Sequence, residues 1–334
     1  MDIAIIGAGL MGGWHAHTAR KLGACITGVC DLNGANVRKL ANHYPGAGCF
    51  TSSEDLFSSI SPDVVHICTP LSTHKDLCLA SLEHGAHVVC EKPLAETADG
   101  VRQLYERARQ AGKMICPVHQ FAAQSGVRKA KRLLDDLGGI SRIGFVMCSA
   151  GAEGMDAAGK DAIVADILPH PLSVMSCLWP GVTIEDLQWQ YIRPAAGEVL
   201  AQCRFNGIPI SLAISMSGRP TRCYMEIQGS RGSLLVDFFH GYCVRFPGRV
   251  SRFRKMVYPF TDTVRLFSTA AMNLAGRVWR RQPAYPGLEQ LLREFYRVVE
   301  KGTGEPIAAN VSVSLALARD RFLDGMPLPG QESG

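Results

Sequence analysis

A short run of glycines near the amino terminus has the spacing of a dinucleotide-binding turn. Gly7-Ala8-Gly9-Leu10-Met11-Gly12 directly follows an apolar run at residues 3–6 and precedes a stretch of helical period. The first glycine allows a tight turn, the second lets a pyrophosphate approach the backbone, and the third lets helix and strand pack closely. The helix N-terminus adds free N–H groups and a positive dipole. The sequence therefore predicts that nucleotide phosphates are bound by Gly7, Gly9, Leu10, Met11 and Gly12.

An acidic residue stands where such a site contacts a ribose. Asp31 ends the apolar run at residues 26–30 and lies 19 residues after Gly12. A carboxylate at this position accepts hydrogen bonds from the adenosine ribose and repels a 2′-phosphate. No arginine directly follows Asp31, although Arg38 lies on the next predicted helix. We therefore expect NAD as the cofactor in preference to NADP.

A parallel sheet is needed to position these residues. Five short, largely β-branched apolar runs occupy residues 3–6, 26–30, 64–68, 87–90 and 114–118. Segments of helical period, including residues 11–22 and 77–84, alternate with them. Strands that alternate with helices predict right-handed βαβ units and a parallel sheet covered on both faces.

The pattern changes after Val118. Helical stretches at residues 124–137 and 171–178 are followed by strand-like runs, many of which alternate polar and apolar residues. These runs lie at residues 143–148, 187–192, 199–205, 208–216, 223–227, 234–238 and 242–246, and helices at 288–301 and 311–323 close the chain. The pattern predicts an α/β domain over residues 1–119 and an α+β domain over residues 120–334, whose antiparallel sheet has one solvated face.

Two further motifs resemble a known family. Thr69-Pro70-Leu71-Ser72-Thr73-His74 follows the third apolar run, and Gly85-Ala86-His87-Val88-Val89-Cys90-Glu91-Lys92-Pro93-Leu94 comes next. With the hairpin-like residues 228–234, they resemble the glucose–fructose oxidoreductase/inositol dehydrogenase/MocA family over nearly the whole chain. The resemblance implies an N-terminal Rossmann parallel sheet and a C-terminal α+β domain with a large, mostly antiparallel, open-faced sheet. It also implies reversible oxidation of a sugar or polyol hydroxyl, with a nicotinamide as hydride acceptor.

The resemblance assigns roles to the residues of these motifs. Glu91 would bind the ribose next to the nicotinamide, and Thr69, Pro70 and His74 would line the dinucleotide cleft. Lys92 would contact the cofactor and point at the reacting oxygen. An ammonium group can stabilise a developing alkoxide, and the proline that follows restricts Lys92 to extended conformations. Lys92 is therefore the predicted catalytic cation.

A second catalytic element is carried by an aspartate and a histidine four residues apart. The family has a pattern close to D-x-G-x-H, and Asp166-Ile167-Leu168-Pro169-His170 keeps the spacing with Leu168 in place of the glycine. Residues four apart share one helical face, so both side chains can reach one substrate. Histidine suits proton exchange with a hydroxyl, and Asp166 would accept hydrogen bonds from the substrate. Pro171 implies that His170 precedes the helix body. The alternative is a packed or capping His170 and a surface Asp166.

The end of the predicted first domain carries two polar residues. His119-Gln120-Phe121 would lie beside the nicotinamide pocket, where family members often have an asparagine or histidine followed by an arginine. Residues 122–124 of this chain, Ala-Ala-Gln, lack that arginine. His119 and Gln120 are predicted contacts to the substrate or nicotinamide, with a plain connecting role as the alternative.

Basic residues are concentrated in one segment. From Arg245 to Arg281 nine basic residues stand against the single acid Asp262, whereas the whole chain carries +5. Residues 262–281 also have an apolar stripe at helical spacing, made of Val264, Phe267, Ala271, Leu274 and Val278. We interpret the segment as a packed helix with a solvated basic face. The alternatives are binding of an anionic substrate group, such as a nucleotide-sugar diphosphate, and contact with anionic lipid.

Composition is that of a soluble globular protein of two domains, with 334 residues, 47% hydrophobic and 19% charged. Three prolines interrupt the longest uncharged run, residues 167–184, which disfavours a membrane span. The twelve cysteines fall singly, without zinc spacing, and indicate reduced thiols and no metal site. We expect a cytoplasmic protein that forms a homodimer or homotetramer and binds no nucleic acid.

The leading hypothesis is an NAD(P)-dependent dehydrogenase or reductase that acts on a hydroxyl or ketone of a sugar, inositol or nucleotide sugar. His170 and Lys92 would handle the proton and the negative charge, and Asp166 would hold the substrate. One alternative is a non-catalytic dinucleotide-binding regulator or scaffold, which the altered surroundings of His170 and the missing arginine suggest. Another is an enzyme that uses NAD transiently in non-redox sugar chemistry.

Overall fold

The N-terminal part of the chain alternates strands and helices in the computed structural model, which describes residues 1–248 and 251–332. Its elements are β1 (Asp2–Ile6), α1 (Leu10–Lys21), β2 (Cys25–Cys30), α2 (Gly34–Ala41), β3 (Gly48–Phe50), α3 (Ser53–Ser59), β4 (Val64–Ile67), α4 (His74–Glu83), β5 (His87–Cys90), α5 (Ala98–Gln110) and β6 (Ile115–Pro117). The strands form a six-stranded parallel sheet in the order β3-β2-β1-β4-β5-β6. The predicted Rossmann sheet is therefore confirmed. Strand β3 was not predicted, because three residues are too few to display a period.

The central strands of this sheet are buried on both faces. All four residues of β4 are buried, and residues 88–90 of β5 have no exposed surface. Helices cover both faces of a parallel sheet, so strand residues of either parity meet apolar neighbours. All six strands end at the same edge, and the strand order reverses between β1 and β4. Ligands of such sheets bind outside the carboxyl ends of the strands at this reversal.

The remaining elements build a second, larger sheet. They are α6 (Ser125–Leu133), β7 (Ile140–Cys148), α7 (Ala157–Ile167), α8 (Pro169–Leu178), β8 (Gln190–Ala195), β9 (Glu198–Phe205), β10 (Ile208–Ser215), β11 (Arg222–Gly229), β12 (Gly232–Asp237), β13 (Tyr242–Pro247), α9 (Arg252–Trp279), α10 (Leu288–Lys301), α11 (Ala309–Asp324) and β14 (Gln331–Glu332). The sheet has eight strands in the order β13-β12-β11-β7-β10-β9-β8-β14. Its neighbouring strands are antiparallel except for β7 and β10. The predicted mostly antiparallel sheet is confirmed, and only the two-residue strand β14 was not anticipated in it.

One face of the second sheet is open. Side chains alternate along β10 and β11 between fully buried and half-exposed positions. Helix α6 packs against β12 and β13 on the covered side. The other face carries half-exposed apolar residues such as Val146, Leu200, Ala213 and Leu235. This alternation is the basis of the period-two pattern in the sequence.

The chain divides into two units that differ from the predicted domains. The first unit comprises Met1–His119 and Leu288–Leu317, and the second comprises Gln120–Gly287 and the residues from Ala318 onward. Helix α10 and the first part of α11 therefore belong with the Rossmann sheet, whereas the prediction placed all of residues 120–334 in the second domain. Helix α10 buries Phe295 and Tyr296 in the first unit, and the Tyr296 hydroxyl contacts His66. Amphipathic period predicted the helix but not the sheet that it covers. Ser333 and Gly334, which end the predicted range, lie outside the described residues.

One helical stretch among the described residues, Ala157–Leu178, has the length and hydropathy needed to cross a membrane. Half of its apolar window is buried inside the protein. Helices α7 and α8 make up this stretch, and Leu168 between them keeps helical dihedral angles. Burial of this kind is typical of a core helix.

Candidate functional site

The glycine turn after β1 is tightly packed at both ends and open in the middle. Gly7 has φ of +97°, and a Cβ on it would lie 2.5 Å from the carbonyl oxygen of Cys68. A Cβ on Gly12 would lie 1.9 Å from the carbonyl oxygen of Gly7. No heavy atom lies within 4 Å of the corresponding position on Gly9, the N-cap of α1. The turn is therefore accessible to a phosphate at Gly9, beside the N–H groups of the first turn of α1.

Asp31 follows β2 and holds the glycine turn in place. One carboxylate oxygen accepts a hydrogen bond from the Ala8 N–H at 2.7 Å, and the other accepts from the Asn33 N–H at 2.8 Å. Each oxygen retains a lone pair that can accept from a ribose hydroxyl. The Arg38 guanidinium lies 3.4 Å from the position of a Cβ on Gly34, beside this turn. The carboxylate thus shapes the turn, and its contact with a ribose stays a prediction.

The loops after β4 and β5 are joined by a buried histidine. The ring nitrogens of His74 each lie 2.8 Å from a carbonyl oxygen, one of Thr69 and one of Pro93. Both nitrogens are therefore engaged with the backbone, and His74 ties the loop carrying Thr69 and Pro70 to the loop carrying Lys92. The structure gives His74 a positioning role, and its direct contact with a cofactor stays a prediction.

A chain of buried polar side chains ends at Glu91. The Tyr296 hydroxyl lies 2.9 Å from His66 Nε2, and His66 Nδ1 lies 2.9 Å from His15 Nδ1. His15 Nε2 lies 3.1 Å from Glu91 Oε1, and the other carboxylate oxygen accepts from the Lys92 N–H at 3.3 Å. We call Tyr296, His66, His15 and Glu91 the buried relay. It connects α10, β4 and α1 to the backbone of Lys92.

The protonation of the buried relay follows from its environment. Burial lowers the pKa of His66 well below its usual value, and the neighbouring His15 adds to this effect. Burial alone would raise the pKa of Glu91, but the hydrogen bond from His15 and the Lys92 ammonium outweigh it and hold that pKa below its usual value. An ionised Glu91 requires a proton on His15 Nε2. A neutral His66 donates at one ring nitrogen and accepts at the other, which suits its contacts with His15 Nδ1 and the Tyr296 hydroxyl.

Three members of the buried relay, His15, His66 and Tyr296, were not predicted from the sequence. The predicted contact of Glu91 with a ribose stays a prediction, because His15 and the Lys92 N–H each engage one of its oxygens. The signals were present: His15 lies one helical turn after Gly12, and His66 interrupts an otherwise apolar strand. A polar residue inside a doubly covered strand needs a buried partner, because an unpaired polar group there is costly.

His119 follows β6 at the same edge and is buried. Burial, assisted by the charge of Lys92, lowers the pKa of His119 to about 4. Within the described part of the chain its Nδ1 atom has no hydrogen-bond partner. A neutral, buried imidazole with an unpaired nitrogen is a group that a ligand can satisfy. In the second unit, Oε1 of Gln120 is likewise buried without a partner among the described residues.

Asp166 and His170 lie on one continuous helical stretch of the second unit. His170 lies in the first turn of α8, so the prediction that it precedes the helix body was wrong. Leu168 keeps φ −53° and ψ −38° in spite of the proline that follows it. Asp166 is exposed, and the buried His170 ring stacks on Phe121 with centroids 4.0 Å apart. Contact of both side chains with one substrate stays a prediction.

The basic segment differs from its prediction. Helix α9 begins at Arg252, before the predicted residues 262–281, and its apolar stripe faces solvent. The interpretation of a helix packed by this stripe is therefore wrong. Arg245 pairs with Asp136 at 2.8 Å, and Arg249 lies outside the described residues.

No group of three potential metal ligands occurs among the described residues. Gly9 leaves the space that a pyrophosphate needs, and His119 offers an unpaired nitrogen at the same sheet edge. These observations fit a dinucleotide cofactor.

Residues 1–119 match the model of the GFO_IDH_MocA family, an oxidoreductase family with an NAD-binding Rossmann fold. The chain is similar to D-glucoside 3-dehydrogenase of Escherichia coli, with 34% identity over 36% of each chain. It is also similar to inositol 2-dehydrogenase of Rhodococcus erythropolis, with 31% identity over 60% of this chain and 58% of the relative. The chain matches less than two thirds of the length of either relative.

Solved structures share the fold over nearly the whole chain. UDP-N-acetylglucosamine 3-dehydrogenase GnnA from Acidithiobacillus ferrooxidans is 17% identical, with a TM-score of 0.72 over 96% of both chains. Levoglucosan dehydrogenase, in complex with NADH and levoglucosan, is 17% identical, with a TM-score of 0.74 over 97% of this chain and 96% of that one. At this identity the likeness concerns the fold.

Proposed function

We propose that the chain, whose first 119 residues match the model of the GFO_IDH_MocA oxidoreductase family, is an NAD-dependent dehydrogenase or reductase. Its substrate would be a sugar, inositol or nucleotide sugar, reacting at a hydroxyl or the corresponding ketone. The proposal rests on one arrangement within the first unit. The open glycine turn, Asp31, Glu91-Lys92 and the unpaired nitrogen of His119 all follow strands that end at a single sheet edge.

Cofactor binding is assigned to the glycine turn and the loops beside it. The N–H groups after Gly9 bind the pyrophosphate, and Asp31 accepts hydrogen bonds from the adenosine ribose. Thr69 and Pro70 line the cleft, in a loop that His74 holds to the Lys92 loop. When bound, NAD supplies the ring that takes up or returns a hydride.

Proton and charge transfer are assigned to protein side chains. The Lys92 ammonium faces the reacting oxygen and stabilises its negative charge as the hydroxyl proton leaves. His170 takes that proton in the oxidative direction and returns it in the reductive direction. Asp166 accepts hydrogen bonds from neighbouring substrate hydroxyls, and neutral His119 accepts one at Nδ1. Each oxidation thus removes one hydride from carbon and one proton from oxygen.

The substitution Lys92→Met tests the assignment. Full-length protein, NAD and a panel of sugars, inositols and nucleotide sugars are incubated while the absorbance of reduced nicotinamide is followed. With the active substrate, Lys92→Met should lower kcat by about 1,000-fold, whereas calorimetry should find an unchanged affinity for NAD. Lys113→Met is the matched control, because Lys113 precedes β6 at the opposite edge of the sheet.

Other outcomes distinguish the alternatives. Parallel loss of turnover and of NAD affinity would mean that Lys92 belongs to cofactor binding alone. An unmodified protein that binds NAD but turns over none of the panel would favour the regulator or scaffold. Product formation without net NADH would favour transient use of NAD in non-redox chemistry.

The assembly and location of the enzyme are part of the proposal. We infer a homodimer or homotetramer formed through the open face of the eight-stranded sheet. Half-exposed apolar side chains on that face, such as Val146 and Leu235, support this inference. We also place the enzyme in the cytoplasm, where its free thiols would persist.

A further inference from the structure

Helix α9 presents its apolar side to solvent. The helix has 28 residues and is about 42 Å long. Its apolar side chains follow helical spacing: Phe253, Met256, Phe260, Val264, Phe267, Ala271, Leu274 and Val278. At 100° per residue they fall within an arc of about 80°. All are exposed, and those larger than alanine are between 62% and 74% exposed.

The opposite side of α9 attaches the helix to the second unit through polar contacts. The Asn273 amide donates to the carbonyl oxygen of His240 at 3.0 Å. Helix α9 also packs against β13, and the buried Arg277 donates to the carbonyl oxygens of Gln282 and Pro283 in the turn directly after the helix. Helix α9 is therefore turned the other way from an ordinary surface helix, whose apolar side faces the core.

The exposed apolar area is larger than a solvated surface normally tolerates. The three phenylalanines of the stripe, at about 200 Å² each, alone leave about 440 Å² in contact with water. The whole stripe therefore exceeds the 300–600 Å² that is usual for the largest apolar patch of a monomeric protein. A surface of this size indicates a partner that covers it.

The charges around the stripe identify the kind of partner. Exposed cationic side chains accompany it at Arg252, Lys255, Arg265, Arg280 and Arg281. Asp262 is the single acid of the helix. Two copies of the chain packed stripe to stripe would place two strongly cationic helices side by side, with one acid on each. An anionic lipid surface instead attracts the cationic helix and takes up its apolar side chains.

We propose that α9 is a membrane-docking helix, which lies in the plane of an anionic bilayer with its phenylalanine stripe among the acyl chains. Arg252 lies about 40° from the edge of the stripe, and its side chain can reach the phosphate level. Trp279 is 89% exposed at the end of the helix and suits the boundary between headgroups and acyl chains. This inference is independent of the proposed dehydrogenase activity.

Vesicle flotation with the full-length protein tests the proposal. The vesicles contain either phosphatidylcholine alone or phosphatidylcholine with about one third phosphatidylserine. The unmodified protein should float with the anionic vesicles, and added salt should release it. The double variant Phe260→Ser/Phe267→Ser should bind about 100-fold more weakly. The exposed Leu328→Ser, away from α9, is the matched control and should bind like the unmodified protein.

The remaining outcomes would overturn the proposal. Failure of the unmodified protein to float, or equal binding to neutral vesicles, would exclude anionic lipid as the partner. Analytical ultracentrifugation adds a further test. If the double variant sediments as a smaller species, and the unmodified protein does not bind vesicles, a second copy of the chain covers the stripe.

Thermal denaturation of the double variant should match that of the unmodified protein, because both phenylalanines are exposed.

Discussion

Buried His119 makes the stability of the first unit depend on pH in a calculable way. Histidine titrates near 6.5 in the unfolded chain, whereas burial beside Lys92 lowers the pKa of His119 to about 4. Between these values the unfolded state binds a proton that the folded state excludes. The contribution of His119 to the free energy of unfolding is therefore fully present above pH 6.5. It falls by about 1.4 kcal/mol for each pH unit below that value, until pH 4 is reached. Between pH 7 and pH 5 the loss is about 2 kcal/mol.

The substitution His119→Gln isolates this contribution. Glutamine does not titrate, so the variant does not lose the stability that protonation of His119 removes at low pH. Other titrating groups, such as His66, change the stability of both proteins equally. Amide hydrogen exchange of peptides spanning β5 and β6 reports opening of this unit. The ratio of exchange rates, variant over unmodified protein, should fall about 30-fold between pH 7 and pH 5. Comparison at the same pH removes the intrinsic pH dependence of exchange.

The exposed His43→Gln serves as the control, and its exchange ratio should stay constant. A constant ratio for His119→Gln as well would refute the reasoning. It would mean that His119 accepts a proton in the folded protein. Burial and the charge of Lys92 would then lower the pKa of His119 less than the structure indicates.

Two further predictions concern the glycine turn and the buried relay. Gly12→Ala should abolish measurable NAD binding in calorimetry and lower stability by about 1–3 kcal/mol, because the new Cβ would lie 1.9 Å from the Gly7 carbonyl oxygen. Tyr296→Phe should lower the free energy of unfolding by about 1–3 kcal/mol in urea denaturation, because it leaves buried His66 Nε2 without its hydroxyl partner at 2.9 Å.

Each of these substitutions has a matched control. Gly13→Ala should retain NAD affinity, since nothing lies within 4 Å of its Cβ position. Tyr44→Phe should cost less than Tyr296→Phe, since Tyr44 is only half-buried and phenylalanine keeps the ring that contacts the Arg20 guanidinium. Equal effects of the two members of either pair would contradict the corresponding prediction.

Local patterns were sufficient to predict most elements of the fold and half of the site. The glycine spacing, Asp31 and the apolar runs depend on residues that are neighbours in sequence, so the sequence displays them directly. Glu91-Lys92 and His119 could be placed at one edge because parallel strands all end on the same side. The Asp166–His170 spacing predicted a shared face, although the helical angles at Leu168 had to be seen in the structure.

Other features depend on contacts between distant parts of the chain. Tyr296 and His66 are 230 residues apart, and no periodicity relates them. Their hydrogen bond exists because α10 returns to the first unit. The same return places Leu288–Leu317 in the first unit, whereas the prediction assigned them to the second domain.

Helix α9 illustrates the division between sequence and structure. Its spacing determined that the apolar residues share one face, because 3.6 residues complete each turn. Whether that face meets a core or solvent depends on which side of the helix attaches to the rest of the unit. The Asn273–His240 hydrogen bond and the packing of α9 against β13 decide this, and only the tertiary structure contains those contacts. Periodicity specifies a face of a helix, whereas packing specifies what that face meets.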